Sequence, residues 1–197
     1  VDAVFIGEAE SLWPQVIKDF ENGHLKKVYN GGLPALSEMK HVFPNRELMK
    51  KKYNYKFSSI VTTKGCPNYC DFCSVPTFQG KKYRERPYED VLDEMEATDY
   101  KGLMFAEDNF YGHSKNSANR AKQLFRGMID RGIQKDWLGF TALNISQDAE
   151  ALDLMAKSGN FGFLCGIEST NEAVLEKMNK KVNLRLGTDS YFDCVQK

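Results

Sequence analysis

The 197-residue sequence predicts an α/β fold, in which a parallel sheet is covered by helices and forms an incomplete (β/α) barrel. Three observations lead to this prediction. Short apolar runs with strand character recur along the chain, stretches with helical spacing alternate with them, and the turns between them are short. Such alternation is typical of βα units whose strands pair in parallel, because each helix crosses back over the sheet.

The first 29 residues predict one strand and one helix that belong to a larger domain. Residues 1–7 form an apolar run of β type, and residues 12–23 (LWPQVIKDFENG) have helical spacing that ends in a glycine. The polar residues 30–54, marked by Gly and Pro, indicate a linker. Residues 55–197 then form the main domain.

Four strands with helices between them are predicted in this main domain. The strands are residues 57–63 (FSSIVTT), 102–106 (GLMFA), 137–143 (WLGFTAL) and 161–167 (FGFLCGI). The helices are residues 87–98, with Val91, Leu92 and Met95 on one face, residues 117–130, with Leu124, Phe125, Met128 and Ile129 facing inward, and residues 148–158. A last helix, residues 188–197, has no strand after it, so we expect the barrel to be open.

Composition argues against several classes of function. The chain has 27 basic and 27 acidic side chains, whose mixture leaves no basic face for nucleic acid or an anionic membrane surface. No apolar run is long enough to cross a bilayer, and the N-terminal residues lack signal-peptide character. We therefore expect a cytoplasmic protein with neither nucleic-acid nor membrane partners. In a reducing compartment, clustered thiols among five cysteines more often bind metal or act in catalysis than form disulfides.

The most informative motif is KGCPNYCDFCS, residues 64–74, in which Cys66, Cys70 and Cys73 have the spacing C-x3-C-x2-C. Three thiolates leave one position of a metal centre without a protein ligand, whereas structural zinc sites normally have four ligands. Three hypotheses are open at this point: an iron–sulfur cluster, a zinc site with a remote fourth ligand, and reactive or disulfide-forming thiols. The candidates for that remote ligand are Cys165, Cys194 and His113.

GCPNYCDFC resembles the signature loop of the radical S-adenosylmethionine (radical SAM) superfamily, including the aromatic Phe72 before the last cysteine. The resemblance implies a partial TIM-like barrel in which Cys66, Cys70 and Cys73 hold a four-iron four-sulfur (4Fe–4S) cluster. It also implies that S-adenosylmethionine binds the fourth iron and is cleaved reductively to a 5′-deoxyadenosyl radical, which takes hydrogen from a substrate. The implied partners are a small-molecule or other organic substrate and an electron donor such as a flavodoxin or ferredoxin.

Polar residues where the predicted strands end are the candidates for cofactor binding, since functional residues of parallel sheets gather there. Glu107 and Asp108 follow the second strand, where the superfamily presents an acidic or glycine-rich motif to the methionine ammonium. A solvated loop with a helix cap is the alternative for this pair. Asn144 follows the third strand on the same rim.

The end of the fourth strand supplies two further candidates. Glu168 and Ser169, in GIEST, resemble the superfamily motif whose carboxylate or hydroxyl contacts the ribose. An acidic residue directly after an apolar strand is also an ordinary way for such a strand to end. By the same resemblance, the backbone of Phe72 lies against the adenine edge, while its ring can pack the cysteine-containing loop.

The resemblance extends to one subclass of the superfamily. GEAESLWPQVIKDFENGHLKKVY resembles the last strand and helix of a Rossmann-like cobalamin-binding domain, and LMFAEDNF and GIESTNEAVLEKMNKKVN resemble the core of that subclass. This makes cobalamin a candidate cofactor and methyl transfer to an unactivated carbon the leading reaction, with ring formation or another radical rearrangement as rivals. The alternative from another class is a non-catalytic module, either iron–sulfur for electron transfer or zinc-binding.

Overall fold

The computed structural model of the protein describes residues 1–39 and 42–191. Its strands are β1 (Val4–Gly7), β2 (Val28–Gly32), β3 (Phe57–Ile60), β4 (Thr63–Lys64), β5 (Arg84–Glu85), β6 (Gly102–Phe105), β7 (Asp136–Thr141) and β8 (Asn160–Cys165). Its α-helices are α1 (Trp13–Glu21), α2 (Glu47–Tyr53), α3 (Val75–Phe78), α4 (Tyr88–Ala97), α5 (Lys115–Asp130), α6 (Ala149–Lys157), α7 (Glu172–Lys177) and α8 (Lys181–Leu186). Most of the helix predicted for residues 188–197, including Cys194, lies outside the described residues.

A parallel four-stranded sheet, in the order β3-β6-β7-β8, forms the centre of the main domain. Strand order follows chain order, and the helices α4, α5 and α6 connect successive strands. Parallel neighbours need such crossover connections, because the chain must return to the starting edge before each new strand. The predicted α/β fold with the first four strands of a partial barrel is confirmed.

The core between the sheet and the helices follows the predicted helical faces. Helix α4 buries Val91, Leu92 and Met95, and α5 buries Leu124, Phe125 and Met128. The Trp137 ring stacks on Phe105 with centroids 4.6 Å apart and on Phe125 at 5.3 Å. The inward orientation predicted for Ile129 is wrong, since its side chain is 38% exposed. Ile129 lies about 100° around the helix from Met128, beyond the edge of the buried face.

The N-terminal residues form a separate parallel pair, β1-β2, connected by α1. Strand β2 was not predicted, and the predicted linker, residues 30–54, contains the end of β2 and all of α2. Glu8 and Arg84 join this pair to the main domain through a buried two-pronged ion pair, with Arg84 Nη2 2.5 Å from Glu8 Oε1. Arg84 also donates to the Pro34 carbonyl at 2.7 Å. The proposed domain boundaries themselves stay a prediction.

Three helices that follow the loops after strands β6, β7 and β8 begin with a side-chain cap. The Ser114 hydroxyl accepts from the N–H of Ser117 and begins α5. Asp148 caps α6 and Asn171 caps α7 in the same way. These caps satisfy backbone donors that a helix start leaves without partners. No helix in the described part of the chain combines the length and apolar character that a bilayer span requires.

Candidate active site

Cys66, Cys70 and Cys73 lie in a loop, residues 65–83, that connects the short antiparallel strands β4 and β5. We call it the cysteine loop. The Cys66 N–H donates to the Gly80 carbonyl at 3.1 Å and closes the base of the loop. Gly65 has a φ of 85°, and a Cβ there would collide with the Lys82 carbonyl oxygen. The glycine before the first cysteine is therefore required by the backbone, because other residues rarely adopt this conformation.

The three cysteines line one cavity of about 360 Å³ at the carboxyl ends of the sheet strands. The opposite walls come from Asp108 and Asn109 after β6, Thr141 at the end of β7, and Cys165 and Glu168 at and after the end of β8. The structure therefore brings the cysteine loop and the strand-end rim together around one space. This is the edge at which parallel α/β sheets usually bind ligands.

The arrangement of the thiols bears on the metal hypotheses. Among residues 1–39 and 42–191, no group of three or more His, Cys, Asp or Glu side chains is placed to hold a single metal ion. Cys165 and His113 line the same cavity as the cysteine loop but do not complete such a site. Cys66, Cys70 and Cys73 form no disulfide. Three thiols that line one cavity are a donor set that fits an iron–sulfur cluster, in which each thiolate binds a different iron.

Burial and one neighbouring cation act on these thiols in opposite directions. Burial raises the pKa of the Cys66 and Cys70 thiols. The ammonium of Lys180 opposes this rise in the pKa of Cys70. Thiolates, not thiols, are metal ligands, so a cation beside Cys70 favours the ligand form. Lys180 was not predicted as a site residue.

The structure separates the two acidic residues that were predicted as a pair. Glu107 is 2% exposed, accepts from the Thr62 N–H at 3.2 Å and from the Thr62 hydroxyl, and does not line the cavity. Burial raises the pKa of Glu107 to about 7. Asp108 does line the cavity, and burial raises its pKa as well. Both residues follow the end of β6, but only Asp108 reaches the cavity.

Glu168 lies on the cavity wall in an unusual backbone conformation. Its φ is 62°, and its Oε1 is 2.9 Å from Lys180 Nζ. A non-glycine residue with positive φ is uncommon and is found where the surroundings hold it in place. Ser169 is outside the cavity wall, and its hydroxyl accepts from the Asn171 N–H at 3.0 Å. The Ser169 side chain thus supports the turn into α7.

Asn144 and Phe72 have different surroundings. The Asn144 side-chain amide donates to the Gly112 carbonyl at 3.1 Å, and Asn144 is not among the cavity-lining residues. Its Oδ1 is buried and has no hydrogen-bond partner within the described residues. Phe72 lines the cavity, and Lys180 Nζ lies 5.5 Å from the centre of its ring. The structure thus brings Phe72, but not Asn144, to the cysteines.

His113, one of the candidates for a remote zinc ligand, lines the cavity. The amide nitrogens of Asn68 and Asn109 each lie 2.9 Å from His113 Nε2. Asn109 Oδ1 accepts from the Tyr111 and Gly112 N–H groups, so its amide nitrogen must face His113 as a donor. Nε2 is then the acceptor, and the ring proton resides on Nδ1. Burial lowers the pKa of His113 to about 4, which keeps the ring neutral.

Comparison with known proteins identifies the family. The model of the radical SAM superfamily matches residues 60–186, which include the cysteine loop and every strand of the main sheet except the first residues of β3. The chain belongs to the radical SAM superfamily. The superfamily predicted from the cysteine motif is therefore confirmed. Within the matched range, the cavity is formed by the cysteine loop and the residues at the strand ends.

Two curated relatives of this radical SAM chain are methyltransferases. The bacteriochlorophyllide d C-12(1)-methyltransferase of Chlorobaculum tepidum is 31% identical over 191 residues, 92% of this chain and 40% of the relative. The cytidylyl-2-hydroxyethylphosphonate methyltransferase of Streptomyces wedmorensis is 35% identical over 130 residues, 64% of this chain and 23% of the relative. The chain thus spans less than half the length of these relatives.

Two solved structures share the fold of this radical SAM chain. The cobalamin-dependent S-adenosylmethionine radical enzyme OxsB, with aqua-cobalamin and S-adenosylmethionine bound, has a TM-score of 0.70 at 15% identity, over 90% of this chain and 30% of OxsB. The methyltransferase TsrM from Kitasatospora setae, with tryptophan and an S-adenosylmethionine analogue bound, has a TM-score of 0.60 at 22% identity, over 78% of this chain and 33% of TsrM. At these identities the likeness shows the fold.

Proposed function

We propose that this chain is the catalytic core of a radical SAM enzyme, in which Cys66, Cys70 and Cys73 hold a 4Fe–4S cluster. The observation that carries the proposal is the shared cavity: three thiols of one loop face charged side chains from the strand ends. Three thiolates fit a cluster that keeps one iron without a protein ligand. The cluster and S-adenosylmethionine together supply one-electron reductive cleavage of the sulfonium, and the protein supplies binding, orientation and exclusion of water.

The charges of the cavity support an assignment for S-adenosylmethionine. We assign its ammonium to Asp108, because a carboxylate on the cavity wall can accept a charge-assisted hydrogen bond. We do not assign Glu107 to this role, since its carboxylate accepts hydrogen bonds from Thr62 and does not line the cavity. Glu168 is assigned to the ribose hydroxyls, with Lys180 holding its carboxylate in place. The Phe72 backbone remains the candidate for the adenine edge.

Methyl transfer is the reaction that we propose for the whole protein. Both curated relatives named above are methyltransferases. Of the two solved structures, OxsB is a cobalamin-dependent enzyme and TsrM is a methyltransferase. The unit β1-α1-β2, with parallel strands, is compatible with the end of a Rossmann-like cobalamin domain. An organic substrate and a one-electron donor complete the proposed set of partners.

The test is electron paramagnetic resonance of the anaerobically reconstituted, reduced protein before and after addition of S-adenosylmethionine. We expect a four-iron signal that changes on addition. Cys70→Ala is expected to lose the cluster, whereas Cys165→Ala, which removes a cavity thiol outside the loop, is expected to keep it. A four-iron signal that S-adenosylmethionine does not change, in this chain and in a longer form of the protein, would favour an electron-transfer module. Stoichiometric zinc without iron would reject the cluster.

A further inference from the structure

The segment after α7, residues 178–180, contacts the cysteine loop across a long separation in sequence. We call it the clamp segment. Its contacts are the Met178 carbonyl, which accepts from the Asp71 N–H at 3.1 Å, the Asn179 side-chain nitrogen, which donates to the Tyr69 carbonyl at 2.5 Å, and Lys180 Nζ, which lies 5.5 Å from the Phe72 ring centre. One short segment thus contacts three successive parts of the loop.

The two hydrogen bonds of the clamp segment hold the peptide groups on both sides of Cys70. The Tyr69 carbonyl belongs to the peptide that precedes Cys70, and the Asp71 N–H belongs to the peptide that follows it. Peptide groups are planar, so the orientation of a residue is set by the two planes that flank it. Fixing both planes fixes the direction in which the Cys70 side chain leaves the backbone.

Asn179 has a backbone conformation in which glycine is the usual residue. Its φ is 54°. The Lys180 N–H donates to the Leu175 carbonyl at 2.9 Å and the Asn179 N–H donates to the Glu176 carbonyl at 3.0 Å. This is the Schellman ending of a helix, whose left-handed position is most often Gly and sometimes Asn. The helix end alone would accept glycine, so the contact with Tyr69 gives the asparagine side chain a separate role.

We propose that Asn179 is a positioning residue, whose side-chain amide orients Cys70 toward the proposed cluster by holding the Tyr69 carbonyl. The proposal rests on the proposed function, because it assigns Cys70 as a cluster ligand. Asn179 does not touch the reacting atoms; it acts through the peptide before Cys70. Loss of one hydrogen bond is expected to loosen the loop without unfolding α7, since glycine adopts a positive φ readily.

The chain offers a matched control for this substitution. Asn54 also ends a helix, α2, in the left-handed region, with a φ of 51°. Its side-chain oxygen accepts from Lys56 Nζ at 3.2 Å, an exposed contact remote from the cysteine loop in sequence. Asn179→Gly and Asn54→Gly therefore make the same chemical change in the same backbone conformation. Asn179→Asp adds a third variant, because Asp tolerates positive φ but, when ionised, cannot donate to a carbonyl.

The Asp71 N–H is bonded to the Met178 carbonyl, so its hydrogen exchange in the cluster-free protein tests whether the neighbouring Asn179–Tyr69 bond holds the loop against the clamp segment. We expect Asn179→Gly and Asn179→Asp to accelerate this exchange by roughly three- to tenfold, because one such hydrogen bond contributes on that scale. Asn54→Gly should leave it unchanged. Equal exchange in all the proteins would overturn the proposal, and this outcome does not depend on whether the chain binds a cluster.

The reconstituted protein supplies the second readout. We expect Asn179→Gly to lose its cluster to an iron chelator roughly three- to tenfold faster than the wild type and Asn54→Gly, with a changed paramagnetic signal of the reduced cluster. The same rate and the same signal in all three proteins would overturn the proposal while leaving the proposed function standing. A wild type that assembles no cluster would instead reject the proposed function, and the exchange experiment would then decide the role of Asn179.

Discussion

Lys180 Nζ lies 2.9 Å from Glu168 Oε1, and both atoms lie beside the α-carbon of Gly166. A Cβ at Gly166 would collide with Glu168 Oε1 and lie 2.9 Å from Lys180 Nζ. The glycine two residues before the glutamate therefore makes room for the ion pair on the cavity wall. The ion pair also helps to explain the positive φ of Glu168, because Lys180, twelve residues later, holds the glutamate side chain in place.

Gly166→Ala should weaken S-adenosylmethionine binding, because the new methyl group displaces Glu168 from the cavity wall. We expect Kd in a calorimetric titration to rise roughly tenfold, on the scale of one lost hydrogen bond to a charged group. Gly162→Ala, in β8 four residues before Gly166, is the matched control, since a Cβ there meets no atom within 4 Å. Neither glycine has a positive φ, so backbone strain does not distinguish them. Equal affinities for the two variants would contradict the role of Gly166.

Asp108→Asn should weaken cofactor binding, whereas Glu107→Gln should leave it nearly unchanged. Only Asp108 lines the cavity, so Asp108→Asn is expected to raise Kd for S-adenosylmethionine roughly tenfold or more, as the charge on the acceptor is lost. Glu107→Gln should leave Kd within about twofold of the wild type, because an amide can still bond to Thr62. If Glu107→Gln weakened S-adenosylmethionine binding and Asp108→Asn did not, Glu107 would be the residue that contacts the ammonium.

The strands and helices of the main domain were predictable because local periodicity indicates them. The buried faces of α4 and α5 follow the 3.6-residue period, with the exception of Ile129 at the edge. Periodicity missed three strands. Strand β2 ends in two glycines, which carry no side chain to show alternation, and β4 and β5 have two residues each, too few for a pattern.

Only those features of the candidate site that depend on local sequence were predictable. The positions after the strands indicated Asp108 and Glu168, but a difference of one residue decides which of Glu107 and Asp108 faces the cavity. The hydrogen-bond partners of His113 and Lys180 in the site could not be predicted, because these contacts join positions that are separated in sequence. His113 meets Asn68 of the cysteine loop, and Lys180 meets Glu168, only after the chain has folded.

Glu107 should make the stability of the protein fall as pH rises toward neutrality. Burial raises its pKa in the folded state from 4.5 to about 7, so the folded state binds the proton more tightly than the unfolded state. This contribution to stability is fully present below pH 4.5 and is lost as pH rises through about 7. The expected loss is of the order of 3 kcal/mol. Urea unfolding between pH 4.5 and 8 should show that Glu107→Gln gains stability relative to the wild type as pH increases. A constant difference across this range would show that the carboxyl is not neutral in the folded state.

His113 should retain the Nδ1–H tautomer and stay neutral down to pH 5. The amide groups of Asn68 and Asn109 both donate to Nε2, and burial lowers the pKa of the ring to about 4. Long-range proton–nitrogen NMR distinguishes the two neutral tautomers and the imidazolium, and His113→Gln identifies the signal among the three histidines of the chain. We expect no change in the His113 ring signals between pH 8 and pH 5. An imidazolium pattern at pH 6 would mean that at least one amide presents its oxygen to the ring, because a protonated Nε2 donates and cannot accept.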